Sequence, residues 1–407
     1  MFPRKIIAMT TACLLLGGCI SATWMTQKKP ADRFFLQETS FQQLPGWKAD
    51  NQAKAIVPLQ KSCARINKKD PASDFGAGGF AGSAGQWQEV CRKLAVYLLP
   101  ADNEARKFFE DNFTPYEIWG EKGRDGLFTG YYEPTLRGSY KKHGAYKIPI
   151  YSRPNDLIEV NLGDFRPALK GETVIGRVQG QKLIPYYDRA EIEKGALKKR
   201  RREIVWVDNA VDAFFLHIQG SGRVKLDSGG VLRVGYAAEN GHPYTAIGRE
   251  LIRRGALTRE NVSMPAIRSF LEKHPAEAAG VMDLNASYIF FRTPKNKGGP
   301  LGAEGVLLTP RRSLAVDRKK IPYGAPLWLE AEEPDGKARL QQLMIAQDTG
   351  GAIAGAVRGD FFWGAGEEAA HKAGVMKSAG HSWILLPKTV IVPKEKLHKM
   401  WWRVFSW

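Results

Sequence analysis

The chain has few cysteines and lacks the short motifs that mark several large enzyme classes. Four cysteines in 407 residues are too few for a disulfide scaffold. The sequence contains no His-Glu-x-x-His zinc motif, no Gly-x-Ser-x-Gly nucleophile elbow and no phosphate-binding loop. These absences argue against a metal- or cofactor-dependent enzyme, and we expect no metal and no cofactor.

The apolar run near the start of the chain is too short to cross a bilayer. Two basic residues precede a mainly apolar stretch of eleven residues at 6–16, whereas a span needs about 20, so the pattern favours a signal peptide. It ends in Leu-Gly-Gly-Cys19, which resembles a bacterial lipobox. Residues 1–18 would then be removed, and Cys19 would carry lipid. Ile20, in place of Asp, favours the periplasmic face of the outer membrane. A plain secretory signal or a buried N-terminal helix is the alternative.

Acidic residues are outnumbered by basic ones. Lys and Arg total 60 against 42 Asp and Glu, which gives a net charge of +18, and such a surface prefers anionic partners. The run 198–202 is either a nucleic-acid patch or a solvated basic face. Outside the cytoplasm a basic protein meets peptidoglycan and acidic lipid rather than DNA. We therefore expect no nucleic-acid partner.

Cys63 and Cys91 are the cysteines outside the N-terminal signal. An oxidising compartment favours a disulfide between them. Two buried thiols are the alternative, because the sequence does not give the Cα distance that a bridge requires.

The rest of the chain reads as mainly β with a few helices, as 42 Gly and 23 Pro favour. Residues 19–44, rich in polar residues, predict a tether. Apolar spacing predicts helices at about 88–98, 106–113, 244–254, after Ser263, and 367–372. Short β-branched or aromatic runs predict strands at 127–134, 204–207, 214–218, 231–234, 288–291, 327–329, 343–346 and 383–386.

One stretch combines two acids with surroundings suited to proton transfer. Asp348 follows an apolar run and precedes Gly350-Gly351, and Asp360 lies twelve residues further on, just before Phe362 and Trp363. Aromatic faces stack on sugar rings, and apolar neighbours raise the pKa of a carboxyl group. The alternative is that Asp348 caps a turn and Asp360 is an ordinary loop acid.

The region around these acids resembles a known family. Residues 344–380 are similar to the C-terminal active-site region of the membrane-bound lytic murein transglycosylase A family (MltA). Four upstream blocks are similar to family blocks in the same order: 128–132, 212–222, 235–244 and 285–291. The basic composition and the length resemble the Neisseria-type members.

The resemblance implies a fold and a domain organisation. It implies a double-psi β-barrel catalytic domain from residues 45–136 and 292–407, and an inserted, second β-barrel-like domain from residues 137–291. The substrate groove is expected between the two domains, where concave sites usually form.

The resemblance also implies chemistry. Lytic transglycosylases cleave the β-1,4 bond between N-acetylmuramic acid and N-acetylglucosamine, and the muramoyl C6 hydroxyl attacks its own C1 to leave a 1,6-anhydro end. Because this nucleophile is intramolecular, one residue can act as acid and then base. That residue matches Asp360, and Asp348 matches a supporting Asp. The implied substrate-binding residues are Thr129, Gly130, Tyr131, Tyr132, Gln219, Ser221, Gly350, Gly351, Phe362 and Trp363.

Two rival functions stay open at this point. A non-catalytic peptidoglycan-binding lipoprotein would keep the basic surface without needing Asp360. A muramidase would need a second carboxylate about 5–10 Å away, which Asp348 provides nominally. The expected partners are peptidoglycan glycan strands and the outer membrane, with peptidoglycan synthases as candidate protein partners.

Overall fold

The computed structural model describes residues 34–397, except residues 77, 99, 122, 295–297, 335 and 337. The predicted signal peptide and the predicted lipidation site at Cys19 lie outside the described residues. The strands are β1 (Phe34–Glu38), β2 (Phe113–Gly120), β3 (Gly126–Glu133), β4 (Thr135–Ser139), β5 (Ile148–Tyr151), β6 (Ile158–Asn161), β7 (Thr173–Gln179), β8 (Lys182–Pro185), β9 (Glu203–Val207), β10 (Ser221–Leu226), β11 (Val231–Glu239), β12 (Ile289–Arg292), β13 (Ser313–Val316), β14 (Pro326–Glu332), β15 (Arg339–Asp348), β16 (Arg358–Ala365) and β17 (Lys377–Pro387). The helices are α1 (Ala53–Ile66), α2 (Ala84–Leu94), α3 (Asp102–Asn112), α4 (Arg189–Glu191), α5 (Ala210–Gln219), α6 (Ile247–Arg253), α7 (Met264–Lys273), α8 (Pro275–Asp283) and α9 (Glu367–Val375).

The first sheet is a closed barrel with an extension. Its strand order is β1-β2-β17-β14-β15-β13-β16-β3, and β3 also pairs with β17. Six strands, β3 and β13 to β17, therefore form a ring, to which β2 and β1 add. The β13–β15 and β16–β3 pairings are parallel. On β15, residues 343–346 are completely buried, and α1 packs against this strand, which explains a continuous apolar run in place of alternation.

The second sheet is formed by the inserted part of the chain. Its strand order is β12-β11-β10-β4-β9-β5. Ser152, directly after β5, bridges to Phe291 on β12, so the two edges of this sheet approach each other. A small antiparallel sheet, β6-β7-β8, lies beside it. The chain thus has the predicted fold class: mainly β, with a barrel and an inserted, barrel-like β-domain.

A buried ion-pair cluster fixes the junction between the two sheets. Glu133, the last residue of β3, is 2% exposed. Its carboxylate accepts hydrogen bonds from Arg223 Nε on β10 at 2.6 Å and from Arg233 Nη1 on β11 at 2.7 Å. Removing one partner of such a group would leave a buried charge uncompensated, so this cluster orients the inserted domain on the barrel.

The predicted tether is wrong for residues 34–44. β1 pairs with β2 over its whole length, and Phe34, Leu36, Phe41 and Leu44 are buried in the barrel core. Four of the five apolar residues in this stretch are therefore buried, and Phe35 is half-buried. The folded body therefore begins at Phe34 or earlier.

The predicted strand at 214–218 is also wrong, because these residues belong to α5. Asn209 caps this helix, since its Oδ1 accepts hydrogen bonds from the N–H groups of Val211 and Asp212. Most of α5 is buried, so the helix shows no polar face. The Phe-Phe-Leu-His-Ile run therefore has the same continuous apolar pattern as a buried strand.

Other element predictions need smaller corrections. α2 begins and ends four residues before the predicted range, and beyond its end Val96 and Leu98 are 79% and 77% exposed. α3 ends before Phe113, which begins β2. α6 is shorter than predicted at both ends, and α9 runs on to Val375. The predicted strands at 127–134, 204–207 and 288–291 and the helix after Ser263 are confirmed within one or two residues. The other four predicted runs lie inside β11, β14, β15 and β17, each of which extends three to six residues beyond the prediction at one end.

Candidate active site

A cavity of about 410 Å³ lies between the barrel and the inserted domain. The barrel contributes Tyr131, Asp348 and Asp360 to its lining, together with the turn at 349–353. The inserted domain contributes the end of α5 and residues of two loops, at 239–244 and 285–289. Both acids singled out from the sequence therefore face the same space.

Asp360 is held by a short chain of hydrogen bonds across two parallel strands. On β16 it lies opposite Thr129 of β3. Thr129 Oγ1 donates to Asp360 Oδ1 at 2.6 Å, and Arg358 Nη2 donates to Thr129 Oγ1 at 2.8 Å. No donor within the described part of the chain reaches the second carboxyl oxygen, Oδ2. One oxygen is thus fixed and the other is available to a ligand.

The surroundings of Asp360 favour the protonated form of its carboxyl group more than water does. Burial raises the pKa of Asp360, and the Thr129 hydrogen bond and the charge of Arg358 oppose this effect only in part. Desolvation destabilises the charged form of a carboxyl group. Asp360 therefore has the properties of a proton donor and acceptor at the cavity wall.

Asp348 is the last residue of β15 and has a different set of partners. Its Oδ1 accepts hydrogen bonds from the backbone N–H groups of Ala303 and Thr349, each at 2.9 Å, and its Oδ2 accepts from Tyr131 Oη at 3.0 Å. The pKa of Asp348 is raised to about 6 overall: burial raises it most, the three donors lower it, and the charge of Asp360 raises it. Three donors make Asp348 a fixed acceptor.

Tyr131 stays a neutral donor in this arrangement. Burial raises its pKa well above the ordinary value, and the charges of Asp348 and Asp360 act in the same direction. Its ring packs on Phe362 with centroids 5.1 Å apart. The hydroxyl therefore keeps its proton for Asp348.

Two further predicted groups line the cavity. Gly350 and Gly351 are exposed in the turn after Asp348. Gln219, the last residue of α5, also lines it, and its Oε1 accepts a hydrogen bond from the backbone N–H of Tyr132 at 3.0 Å. This contact aligns the inserted domain with β3.

Six predicted substrate-binding residues lie outside the cavity lining: Thr129, Gly130, Tyr132, Ser221, Phe362 and Trp363. Phe362 and Trp363 are 2% and 6% exposed, and Trp363 Nε1 lies 3.4 Å from Met376 Sδ in the core. The prediction that these aromatic rings stack on sugar is therefore corrected, because their faces are covered by protein. Gly130 has a packing role, since a Cβ there would lie 2.8 Å from Ala373 Cα.

Sequence reasoning missed several cavity residues of the inserted domain, including His217, His242 and Tyr244. The two blocks 212–222 and 235–244 held the signal, but no chemical motif singled these residues out. Burial lowers the pKa of His217 well below its ordinary value, and its Nδ1 accepts a hydrogen bond from the N–H of Ile289. It is therefore neutral, with its proton on Nε2.

Asn240 shapes the second of these loops. It is completely buried, and its Nδ2 donates to the carbonyl oxygens of Tyr187 and Ala286, while its Oδ1 accepts from the N–H of Tyr288. These bonds place His242 and Tyr244 on the cavity wall. Among the described residues, no three His, Cys, Asp or Glu side chains lie close enough to hold a metal ion.

Family models match both halves of this arrangement. The MltA specific insert domain matches residues 127–292, and the 3D domain matches residues 312–386. The first covers the inserted sheet with β3, and the second covers most of the barrel. The two acids fall within the 3D domain.

Whole-chain comparisons agree with the domain matches. The membrane-bound lytic murein transglycosylase A of Escherichia coli K12 is 33% identical over 280 residues, which are 66% of this chain and 69% of that protein. A crystal structure of the E. coli protein with bound chitohexaose is 28% identical, with a TM-score of 0.60, and covers 82% of this chain and 90% of its own.

Two other crystal structures are more similar. The membrane-bound lytic murein transglycosylase from Agrobacterium tumefaciens is 34% identical with a TM-score of 0.78, over 87% of this chain and 98% of its own. MltA from Neisseria gonorrhoeae, in a monoclinic form, is 34% identical with a TM-score of 0.74, over 88% and 94%. With both domain models matched, and with this degree of structural similarity and sequence identity, the chain belongs to the membrane-bound lytic murein transglycosylase A family.

Proposed function

We propose that this lytic murein transglycosylase cleaves the β-1,4 bond between N-acetylmuramic acid and N-acetylglucosamine in peptidoglycan and leaves a 1,6-anhydromuramoyl end. The observation that carries the proposal is Asp360, a half-buried acid at the cavity wall with one oxygen fixed by Thr129 and the other open. The related E. coli structure holds chitohexaose, a β-1,4-linked oligosaccharide with the same kind of linkage. A cavity between two domains is the kind of concave site where such ligands usually bind.

The proposed reaction needs a single proton carrier. Asp360 donates its proton to the glycosidic oxygen, and the bond from that oxygen to the muramoyl C1 breaks. The resulting carboxylate then takes the proton of the C6 hydroxyl, whose oxygen bonds to C1. Asp360 ends protonated as it began, and no water is consumed.

Asp348 has the supporting role in this scheme. Positive charge develops near C1 in such a transition state, and an ionised carboxylate across the cavity stabilises it. The three donors to Asp348 favour its ionised form and leave it no open oxygen. This difference in partners, rather than the size of either pKa shift, supports giving proton transfer to Asp360.

The rival muramidase scheme would require Asp348 to activate water. Both of its oxygens already accept hydrogen bonds from protein donors, which works against that role. A non-catalytic binder would have no need for Asp360 in a desolvated position beside an open cavity. Product analysis separates all three functions.

The deciding experiment is mass spectrometry of muropeptides released from purified sacculi. The wild-type protein should release 1,6-anhydro ends, a muramidase would release reducing ends, and a binder would release nothing.

Asp360→Asn should lower the rate by at least about 10²-fold, because it removes the proton that the leaving oxygen needs. Asp348→Asn should be impaired less. The assignment of the two acids is reversed if Asp348→Asn is the inactive variant and Asp360→Asn is not.

We also propose that the protein is anchored by lipid on Cys19 to the outer membrane and faces the periplasm. The lipobox-like sequence supports this anchor, and the relatives are named membrane-bound. None of the helices in the described residues is long and apolar enough to span a membrane. Labelling with a radioactive or alkyne fatty acid, lost in Cys19→Ala, tests the anchor.

A further inference from the structure

A buried chain of polar side chains runs from the barrel to a loop beside the cavity. Ser313 Oγ donates to Gln347 Oε1 at 2.6 Å, and Gln347 Nε2 donates to Ser62 Oγ at 2.9 Å. Ser62 Oγ donates in turn to Glu304 Oε2 at 2.7 Å. Ser62, Ser313 and Gln347 are completely buried, and Glu304 is 9% exposed.

The direction of this chain is fixed by its surroundings. Gln347 Nε2 also donates to the carbonyl oxygen of Pro58 at 2.8 Å, and a carbonyl oxygen only accepts. The amide nitrogen must therefore face α1, and the amide oxygen must face Ser313. Ser62 then accepts from Gln347 and has only its own proton left to give. Glu304 is the terminal acceptor of the whole chain.

The loop that carries Glu304 also carries a donor to the active site. The N–H of Glu304 donates to the carbonyl oxygen of Gln347, and the next N–H upstream, of Ala303, donates to Asp348 Oδ1. Gly302 lies tightly on β15, since a Cβ there would lie 2.3 Å from Gln347 O. The segment 302–304 therefore holds the N–H of Ala303 against the carboxylate of Asp348.

Burying the carboxyl group of Glu304 in this position costs free energy. Burial raises its pKa to about 7, although the Ser62 hydrogen bond and the charges of Lys69 and Arg65 lower it. Replacing a polar group and leaving its buried partner unsatisfied costs more than the bond itself contributes. A loop with no task beyond connecting β12 to β13 would not need such an anchor.

We propose that Glu304 is a positioning residue for the reaction: through Ser62 it holds the loop at 302–305, so that the Ala303 N–H keeps Asp348 in place and ionised. The inference rests on the supporting role given to Asp348 under the proposed function. Glu304 itself lies outside the cavity lining, so it acts through Asp348 and makes no contact with substrate.

The test compares two substitutions of Glu304 in the full-length protein. Glu304→Gln keeps an oxygen that accepts from Ser62 and should retain near wild-type activity. Glu304→Ala removes the acceptor, and kcat/KM on sacculi should fall about tenfold or more, as expected when a reacting group is misplaced. The loss should lie in kcat, with KM little changed, because the residue does not contact substrate.

The pH profile provides a readout that a general loss of stability would not change. Backbone donors stabilise a carboxylate and lower its pKa, so weakening the Ala303 contact should raise the pKa of Asp348. The acid limb of kcat/KM should therefore move to higher pH in Glu304→Ala. The groups that face Asp348 are Tyr131, Asp360 and Tyr323, and all three are unchanged in this variant.

A double-substitution cycle shows whether the effect passes through Asp348. In an Asp348→Asn background, Glu304→Ala should cause little further loss, whereas independent effects would multiply. Trp87→Phe is a destabilised control outside the chain of polar side chains: Trp87, on α2, is buried and donates to the carbonyl oxygen of Ala81. It should leave kcat and the acid limb unchanged when assayed well below its melting temperature.

The inference is overturned by multiplicative losses, by an unmoved acid limb, or by equal losses of activity in Glu304→Gln and Glu304→Ala. If Asp348→Asn is impaired and Glu304→Ala is not, the inference about Glu304 fails alone. If Asp348→Asn has no effect, the supporting role of Asp348 fails with it. Activity of Asp360→Asn is read separately and decides the proton-transfer assignment.

Discussion

At the scale of single residues, the two acids of the site differ in how the protein holds them. Asp348 accepts three hydrogen bonds, two from backbone N–H groups and one from Tyr131. Within the described ranges, Asp360 accepts one hydrogen bond, from Thr129, and its second oxygen has no protein donor. Equal residue types twelve positions apart therefore acquire different roles through their partners alone.

Thr129 should set the alkaline limb of the pH profile. Its hydroxyl lowers the pKa of Asp360, against the larger effect of burial. The proposed mechanism requires the acid form of Asp360, so activity should be lost as the pH rises through the pKa of this residue. Thr129→Val removes the donor and keeps the shape, and the pKa of Asp360 and the alkaline limb should move upward.

The matched control is Thr129→Ser, which keeps the hydroxyl and should keep the limb where it is. Rates of release of anhydromuropeptides from about pH 4 to about pH 9 give both limbs. A downward shift in Thr129→Val, or equal shifts in the two variants, would contradict this account.

The acids could be found in the sequence, but their partners could not. Asp348 and Asp360 stand in a compact motif of Gly and aromatic residues. Thr129 is 231 residues from Asp360, and Ala303 is 45 residues from Asp348. Phe362 and Trp363 looked like sugar-binding aromatics because a sequence does not show which face of a strand is covered.

At the scale of elements, local sequence patterns predict most strands. They fail for a helix that is buried on most of its surface and for a strand that lies in a polar stretch. Strands such as β14 and β17 have β-rich runs that no other pattern competes with. α5 was mistaken for a strand because packing on most of its surface removes the helical alternation. β1 was missed because its five residues lie in a polar stretch, and its partner β2 begins at Phe113.

The disulfide between Cys63 on α1 and Cys91 on α2 should be present in the exported protein. It closes a loop with a sequence separation of 28, which lowers the entropy of the unfolded chain by an amount that corresponds to about 3.6 kcal/mol. Reduction should lower the free energy of unfolding by roughly that amount. Urea unfolding with and without reductant measures the difference.

The control for this prediction is the double variant Cys63→Ala with Cys91→Ala, whose unfolding midpoint should not respond to reductant. Alkylation of the denatured, unreduced wild-type protein should label neither cysteine. Labelling of either one would show that the bridge is absent from the exported protein.

At the scale of the whole molecule, catalysis and anchoring are assigned to separate parts of the chain. The cavity lies between the two sheets, whereas the proposed lipid site precedes β1. A soluble form that begins at Ile20 should therefore fold and cleave isolated sacculi. If it folds without cleaving them, the anchor takes part in the reaction.

A second truncation separates loss of the anchor from loss of the fold. A form that begins at Thr39 lacks β1, whose Phe34 and Leu36 are 4% and 0% exposed in the core. It should be less stable by several kcal/mol, since two large apolar side chains are removed. Equal thermal stability of the two forms would show that β1 adds nothing to the barrel.

The pairing of β1 with β2 also limits how far from a membrane the barrel could work under the proposed lipid anchor. Between Cys19 and Phe34 lie fourteen residues, 20–33, which can span at most about 50 Å at full extension. A tether that ran on to residue 44 would contain 25 residues and could reach about 90 Å. Because β1 is folded onto β2, an enzyme anchored in this way would act within the shorter distance, on the glycan strands nearest the membrane.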